Sequence, residues 1–185
     1  PCDYQAILTL AEKYGMFVIQ DAAQSFGASY KDTPVPSQGL IGCTSFFPAK
    51  PLGCYGDGGA VFTDDDELQD IMSSIRVHGQ GKDKYDNIRV GLNARMDTFQ
   101  AAVLLEKLAI FPEEVKLRNQ VADAYEKALA PLAPALATPQ VTEGNMSVWA
   151  QYSVLAENPE MRDTLCASLK EAGIPTASYY PLPLH

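Results

Sequence analysis

The hydrophobic positions at the start of the chain change from the spacing of a helix to that of a strand. Apolar residues recur every three or four positions over residues 7–14, with Asp3 before them and Gly15 after them. This pattern predicts a helix that Asp3 caps and Gly15 ends. Residues 16–19, Met-Phe-Val-Ile, form a continuous apolar run, which is typical of a strand covered on both faces in a parallel sheet.

Two more strands and a helix follow. A loop rich in proline and glycine at residues 31–39 precedes apolar strands at residues 44–47 and 59–63. Asp64 and Glu67 have the spacing of a capping box, which predicts the start of a helix. The buried stripe of this helix is predicted to consist of Leu68, Ile71, Met72 and Ile75.

The middle of the chain predicts a long loop and then a long helix. Residues 79–93 are polar, glycine-bearing and aperiodic, and loops of this length in compact domains usually have a function or are mobile. Asp97 with Gln100 predicts the start of the helix. Pro112 is expected to kink or restart it, because proline removes a backbone donor.

The last part of the chain has a different pattern. The prolines of residues 131–139 indicate an extended connector, and apolar residues alternate over residues 148–154 as in a strand. Asn158, which precedes a proline, is typical of a helix start, and Gly173 is typical of a helix end. Residues 176–180 predict a final strand.

The alternation of helices and strands predicts an α/β protein. The proline-rich connector divides it. We expect one domain over residues 1–110, a long helix and connector over residues 111–140, and a second, smaller domain over residues 141–185.

The composition limits the classes of function. Of the 185 residues, 46% are hydrophobic, which allows a sizeable core, and no apolar run approaches the roughly 20 residues of a membrane-spanning helix. A formal net charge of -9 disfavours nucleic acid and anionic membranes as partners. The four cysteines lie far apart without a CxxC pair, so we predict no disulfide framework, no metal site and a reducing, cytoplasmic location.

Lys50 is the first candidate for chemistry. Pro48 and Pro51 stiffen the backbone around it and its neighbours are apolar, so its amine is expected to be poorly hydrated and easily deprotonated. A neutral lysine amine forms Schiff bases with carbonyl compounds, including pyridoxal phosphate. The alternative is that Lys50 covers an apolar patch and keeps its ammonium group in water.

Three polar residues near predicted strand ends supply what pyridoxal phosphate needs besides an amine. The carboxylate of Asp21 could keep the pyridine nitrogen protonated, although Asp21 could also simply cap the following turn. Gln24 offers an amide for the ring or its phenolic oxygen. Ser45, five residues before Lys50, offers a hydroxyl for the phosphate, although a strand serine is more often structural.

Four motifs in a fixed order match a known family. They are Asp-Ala-Ala-Gln at residues 21–24, Ser-Phe-Phe-Pro-Ala-Lys at residues 45–50, Gly-Asp-Gly-Gly at residues 56–59 and Gly-Leu-Asn-Ala-Arg-Met-Asp at residues 91–97. Together they resemble the DegT/DnrJ-type aminotransferases of nucleotide-linked keto sugars, which depend on pyridoxal phosphate. The resemblance implies a fold-type I aminotransferase. Residues 1–110 would be part of its large domain, with a mostly parallel sheet, and residues 141–185 part of its small α+β C-terminal domain.

The resemblance also implies roles for single residues. Lys50 would hold the cofactor as a Schiff base and shuttle protons, and Asp21 would face the pyridinium nitrogen. Gln24 would lie beside the cofactor ring, and Ser45 would bind the phosphate. Asn93 would reach the phosphate in the neighbouring subunit of a homodimer whose active sites lie at the subunit interface.

Arg95 and Tyr180 are the implied substrate contacts. Arg95 would lie near the anionic substrate, because a guanidinium group suits carboxylate or phosphate. Many relatives have His-Tyr-Pro where this chain has Tyr179-Tyr180-Pro181. A histidine role is therefore not carried over, whereas Tyr180 is expected to face the sugar nucleotide.

The implied reaction is transamination of a nucleotide-linked keto sugar, with L-glutamate as amino donor. A UDP-linked 3-oxo uronic acid sugar is the preferred substrate, and the product would serve cell-surface polysaccharide or amino-sugar biosynthesis. Lys50 argues against the sugar dehydratases of the same fold, which carry histidine at that position. The alternative is a non-catalytic or regulatory relative that keeps the fold and the dimer interface.

The chain is also expected to be part of a longer protein, because it begins at Pro1 without a methionine and family members are longer. Their N-terminal region supplies a helix start that holds the phosphate and an aromatic ring that stacks on the cofactor. A polypeptide of these residues alone is therefore expected to bind pyridoxal phosphate weakly and to turn over poorly. An inactive fragment of the enzyme is a further alternative.

Overall fold

The computed structural model describes residues 1–180 and 182, and both helices and short strands occur along them. This confirms the predicted α/β class. In chain order the elements are α1 (Tyr4–Lys13), β1 (Ile19–Asp21), β2 (Ser29–Tyr30), β3 (Thr33–Pro34), β4 (Ile41–Ser45), β5 (Gly59–Phe62), α2 (Asp66–Arg76), α3 (Thr98–Leu129), β6 (Leu136–Ala137), β7 (Asn145–Met146), β8 (Leu155–Ala156) and α4 (Pro159–Glu171). None of the helices in this part of the chain is long and apolar enough to cross a membrane.

The chain divides into two compact units. The first comprises Pro1–Val121 and Val141–Ala150, and the second comprises Ala122–Gln140 and the described residues from Gln151 onward. These ranges differ from the predicted boundaries near residues 110 and 140. The assignment of the predicted ranges to a large and a small domain stays a prediction.

The central sheet of the first unit has the strand order β1-β4-β5. β1 and β4 are parallel, with Asp21 opposite Cys43, whereas β4 and β5 are antiparallel, with Ser45 opposite Gly59. β1 begins at Ile19, later than the predicted start at residue 16, because its pairing with β4 begins there. The parallel pair brings the carboxyl ends of β1 and β4 to the same edge of the sheet.

The first helix begins and ends as predicted. Oδ1 of Asp3 accepts a hydrogen bond from the amide of Ala6 at 3.2 Å, and Gly15 follows the helix with a φ of 62°. The left-handed conformation at that position is one that glycine adopts without the steric penalty of a Cβ. Asp3 and Gly15 therefore fix α1 in the way that the sequence predicts.

The predicted cap of α2 was wrong by one residue. Asp65, not Asp64, is the N-cap, and its Oδ1 accepts from the amide of Leu68 at 2.9 Å. Thr63 explains the shift, because its hydroxyl donates to the carbonyl of Leu40 and accepts from the amide of Asp65. The turn after β5 is thereby extended to Asp65.

α3 continues through Pro112 as one helix of 32 residues. Its buried face contributes Phe111 to the hydrophobic core, and the partly buried Phe26 packs against that core. The ring of Phe26 stacks on Phe111 at 6.0 Å and on Phe62 at 6.1 Å, and meets Phe46 edge-on at 5.9 Å. Phe46 belongs to the segment that leads to Lys50, so this core supports the region of the predicted site.

Two apolar segments are less buried than predicted. Met16 and Phe17 are mostly exposed, with Phe17 at 71%, so the prediction of a strand covered on both faces was wrong for this chain. The apolar stripe of α2 is half-buried, and none of its residues is fully buried. The physical reason is that nothing among the described residues packs fully against either surface.

The second unit contains the antiparallel pair β6-β8 and the helix α4. Asn158 caps α4 as predicted, since its Oδ1 accepts from the amide of Met161 at 2.9 Å, and Gly173 follows with a φ of 74°. Residues 176–180 do not form the predicted strand, because they lack a pairing partner among the described residues. Pro181 lies outside the described residues.

Candidate active site

The carboxyl ends of β1 and β4 bring Asp21 and Ser45 to one edge of the sheet. Asp21 is the last residue of β1 and Ser45 the last residue of β4, its parallel neighbour. Thr44 ties the two ends together, because its buried hydroxyl donates to the carbonyl of Ala22 at 3.2 Å. Ligands of open α/β sheets bind at such an edge.

Asp21 combines a structural role with an accessible carboxylate. Its Oδ1 accepts a hydrogen bond from the amide of Ala23 at 2.9 Å, so it caps the turn after β1. The side chain is nevertheless exposed at the sheet edge. Gln24 lies in the same turn and is also exposed. Asp21 therefore caps the turn through one carboxylate oxygen. Its role as a partner of the cofactor nitrogen stays a prediction.

Lys50 lies in the loop directly beyond β4. Its amide donates to the carbonyl of Phe47 at 2.9 Å, which closes a tight turn, and Ser45 Oγ accepts from the amide of Phe47 at 3.2 Å. Lys50 is half-buried, whereas Pro48 and Ala49 are exposed. Lys50 is thus less enclosed by apolar groups than predicted. Its loop does follow the end of β4 at Ser45, as the sequence predicts.

Asn93 and Arg95 form a separate pair in the same unit. Oδ1 of Asn93 accepts from Nε of Arg95 at 3.2 Å and from Nη2 at 3.0 Å, and both side chains are exposed. An amide whose oxygen is bound in this way presents its NH2 group as a donor. Within the described part of the chain, the side-chain hydrogen bonds of Asn93 and Arg95 join these two residues to each other and not to Asp21, Ser45 or Lys50.

Tyr180 belongs to the second unit, so its position relative to the other predicted residues stays a prediction. Its side chain is exposed, and its ring meets that of Tyr179 edge-on at 5.9 Å. Within the second unit, Tyr180 therefore offers an accessible hydroxyl and ring.

Sequence reasoning missed the residues that hold the Lys50 loop. Cys54 is buried at the end of the loop, and its thiol contacts the carbonyl of Phe46 at 3.0 Å. Gln100, predicted as a capping partner of Asp97, instead accepts from the amide of Tyr55 at 2.8 Å. The side chains of Gln100 and Lys107 both contact this segment, and their separation of seven residues, about two helical turns, is the signal that could have indicated a shared face.

A cavity of ≈ 990 Å³ in the first unit is lined by β4, β5 and α2. Its walls are mainly apolar and include Val61, Phe62 and Met72. None of the seven predicted site residues lines it in the described part of the chain. We therefore place the candidate site at the sheet edge, where β1 ends at Asp21 and β4 ends at Ser45, and not in this cavity.

An α/β unit with an aspartate and a serine at one carboxyl edge of its sheet, and a lysine in the loop beyond that edge, has the arrangement in which open α/β sheets bind ligands at strand ends. The particular family follows from the sequence: the chain belongs to the DegT/DnrJ/EryC1/StrS aminotransferase family, whose model matches residues 1–185.

Individual relatives agree with this assignment. The chain is 53% identical over 183 residues to the UDP-2-acetamido-2-deoxy-3-oxo-D-glucuronate aminotransferase of Pseudomonas aeruginosa, covering 99% of this chain and 49% of that protein. It is 42% identical over 184 residues to the pleiotropic regulatory protein of Geobacillus stearothermophilus, covering 99% and 48%. The crystal structure of a family aminotransferase from Brucella abortus matches with a TM-score of 0.94 and 49% identity, over 100% of this chain and 48% of that one. The chain spans about half the length of the curated relatives it matches.

Proposed function

We propose that the protein containing this chain is an aminotransferase of nucleotide-linked keto sugars and that it uses pyridoxal phosphate. The observation that carries the proposal is the position of Lys50, in the loop that leaves β4 beside the end of β1. Family membership supports it, as does the similarity to the Pseudomonas aeruginosa enzyme.

The side chains at the sheet edge fit the cofactor. Pyridoxal phosphate needs an amine for its aldehyde, a carboxylate for its ring nitrogen and donors for its phosphate. These three groups are present as Lys50, Asp21 and Ser45. Asp21 ends β1, and Lys50 lies beyond the end of β4, the parallel neighbour of β1.

When bound, pyridoxal phosphate withdraws electrons from the substrate carbon, so that the hydrogen on that carbon becomes acidic. Lys50 would hold the cofactor and then, as a free amine, move a proton at the reacting carbon. The carboxylate of Asp21 would keep the ring nitrogen protonated, because a nearby negative charge favours the charged form. Ser45 and Gln24 would orient the cofactor through its phosphate and its ring.

The proposed substrates are L-glutamate and a UDP-linked 3-oxo uronic acid sugar, for amino-sugar or cell-surface polysaccharide biosynthesis. In the net reaction the amino group and α hydrogen of glutamate replace the ketone oxygen of the sugar, and 2-oxoglutarate is released. The name of the Pseudomonas aeruginosa relative supports this choice of sugar. Arg95 would bind an anionic group of the substrate and Tyr180 would face the sugar nucleotide.

We also propose a homodimer with shared active sites, in which Asn93 donates to the phosphate bound by the neighbouring subunit. The segment before Asn93 supports this, because it exposes large apolar side chains, including Tyr85, Leu92 and Val90, the last at 96%. Exposed apolar groups of this kind mark interaction surfaces. Sedimentation of the purified protein tests the dimer. The cytoplasmic location stays a prediction from the sequence.

Borohydride reduction in the presence of pyridoxal phosphate, followed by peptide mapping, tests the assignment of Lys50. The experiment uses the whole gene product that contains these residues. We expect labelling at Lys50, no labelling in Lys50→Arg, and unchanged labelling in Lys116→Arg, whose exposed ammonium pairs with Glu113 on the surface of α3. Labelling spread over surface lysines, with none at Lys50, would contradict the proposal.

A second function is favoured by one observation, the 42% identity to a pleiotropic regulatory protein. In that case the fold and the dimer interface would be kept without transamination. A stable dimer that gives no visible absorbance band with pyridoxal phosphate would support the regulatory function. A band that disappears in Lys50→Arg would support the enzyme.

A further inference from the structure

The loop that carries Lys50 is closed at its base by Cys54. The carbonyl of Phe46 accepts a hydrogen bond from the amide of Cys54 at 2.8 Å and from its thiol at 3.0 Å. Cys54 is 0% exposed, so this base is shielded from water. Residues 47–53 therefore form a loop whose two ends are joined by the contact between Phe46 and Cys54, and Lys50 lies in the middle of this loop.

Two side chains of α3 hold the end of this loop. Nζ of Lys107 donates to the carbonyl of Gly53 at 2.5 Å and lies 5.7 Å from the centre of the Tyr55 ring. Oε1 of Gln100 accepts from the amide of Tyr55 at 2.8 Å. Gly53 and Tyr55 are the residues on either side of Cys54, so the base of the loop is held from both directions.

The environment of Lys107 differs from that of a surface lysine. Lys107 is half-buried, and its ammonium is directed to a backbone carbonyl and the face of an aromatic ring. Lys116, on the same helix, has a side chain that is 64% exposed and pairs with the carboxylate of Glu113 at 3.4 Å. A hydrogen bond from a charged donor is roughly twice as strong as a neutral one.

We propose that Lys107 and Gln100 are positioning residues that fix the loop of residues 47–53 and thereby set the position of the Lys50 amine relative to Asp21 and Ser45. This inference rests on the proposed function, because it assigns a purpose to the placement of Lys50. Reactive groups displaced by about 1 Å lose much of their rate, so a lysine on a loop needs such support.

The first test requires no cofactor. Hydrogen exchange of the whole gene product is measured for the amides of Cys54 and Tyr55 in Lys107→Met, with Lys116→Met as the matched control on the same helix. We expect about tenfold faster exchange in Lys107→Met, the factor that corresponds to losing one hydrogen bond from a charged donor, and no change in the control. Unchanged exchange in Lys107→Met would overturn the inference.

Gln100 gives an independent pair of variants that keeps the test valid if Lys107→Met does not fold. Gln100→Glu keeps the acceptor for the amide of Tyr55, whereas Gln100→Met removes it. Exchange at Tyr55 is therefore expected to rise in Gln100→Met and to stay close to that of the unmodified protein in Gln100→Glu. Equal exchange in the two variants would overturn the inference for Gln100.

The second test measures the rate at which pyridoxal phosphate becomes trapped at Lys50 by borohydride. Lys107→Met is expected to slow the labelling of Lys50, and Lys107→Arg, which keeps a charged donor, is expected to restore most of the rate. If the unmodified protein is not labelled at Lys50, the proposed function fails. If it is labelled and Lys107→Met is labelled equally fast, only the inference fails.

Discussion

Gly27 lies in the turn after β1 against the aromatic core, where a methyl group would meet two obstacles. Its φ of 91° is a conformation in which a residue with a Cβ is strained. A Cβ at this position would also lie 2.5 Å from Cε1 and 2.8 Å from Cζ of Phe111, which is 5% exposed. Gly27→Ala is therefore expected to destabilise the first unit through two separate effects.

The two effects have different magnitudes and can be separated. The backbone strain costs about 1–2 kcal/mol, and forcing an extra carbon into a packed core costs about 1–3 kcal/mol. Phe111→Leu removes Cε1 and Cζ and with them the two shortest contacts, but it leaves the contact with Cγ1 of Val148 at 3.3 Å and the φ of Gly27 unchanged. Gly27→Ala should thus cost about 2–5 kcal/mol alone and only about 1–2 kcal/mol in the Phe111→Leu background.

Urea unfolding of the four proteins of this double-mutant cycle measures both costs. Trp149 is the single tryptophan of the chain and belongs to the same compact unit as Gly27 and Phe111, so its fluorescence reports the unfolding of that unit. We expect the two substitutions together to destabilise by about 1–3 kcal/mol less than the sum of their separate effects. Additivity within about 0.5 kcal/mol would refute the packing argument, because residues in contact should couple.

Two further predictions concern a titrating cap and a loop. The hydrogen bond from the hydroxyl of Tyr30 to Asp3 is the main cause that lowers the pKa of Asp3. The ionised carboxylate of Asp3 therefore contributes to stability above the ordinary pKa of 3.8, and this contribution is lost as the pH falls through the lowered pKa. The stability difference between the unmodified protein and Asp3→Asn should accordingly shrink on acidification, as measured by urea unfolding. Gly79→Ala should loosen the segment that leads to Asn93, because Gly79 has a φ of 73° and its new Cβ would overlap the carbonyl of Arg89. Limited proteolysis should show faster cleavage there than in Gly144→Ala, where the φ is 77° but no atom lies within 4 Å of the new Cβ.

Each of these predictions has an outcome that contradicts it. A stability difference for Asp3→Asn that is independent of pH would show that the charge of Asp3 does not contribute through its hydrogen bond with Tyr30. Equal proteolysis of Gly79→Ala and Gly144→Ala would show that the backbone conformation alone, and not the contact with Arg89, determines the effect.

Local signals predicted the helix ends well, because the groups that determine them are close in sequence. Asp3 and Asn158 each accept from an amide three residues later, and the sequence alone identified both. The cap of α2 was misplaced because Thr63, which extends the preceding turn to Asp65, bonds to Leu40, a residue distant in sequence. Strand bounds were less predictable for the same reason: β1 begins where its register with β4 begins.

The candidate site shows the same distinction. Lys50, Asp21 and Ser45 could be proposed from the sequence because each carries a recognisable chemical group beside a predicted strand end, and the ends of β1 and β4 bring Asp21 and Ser45 to one edge. The residues that hold the loop, Gln100 and Lys107, were not identified. Their contacts with the loop depend on α3 packing against a segment about 50 residues earlier. The spacing of seven residues indicates a shared face of α3 but does not indicate the segment that this face contacts.

The difference between local and long-range information also explains why the burial of Lys50 was overestimated from the sequence. The apolar neighbours of Lys50 favour burial, but a side chain is buried only where other parts of the chain pack against it. The same holds for Phe17, which the apolar run places in a buried strand and which is mostly exposed. In contrast, the donor and the acceptor of the hydrogen bond from Lys107 to the carbonyl of Gly53 both belong to this chain. The contacts at the base of the Lys50 loop are therefore made by residues of this chain, whereas Lys50 itself stays half-buried among the described residues.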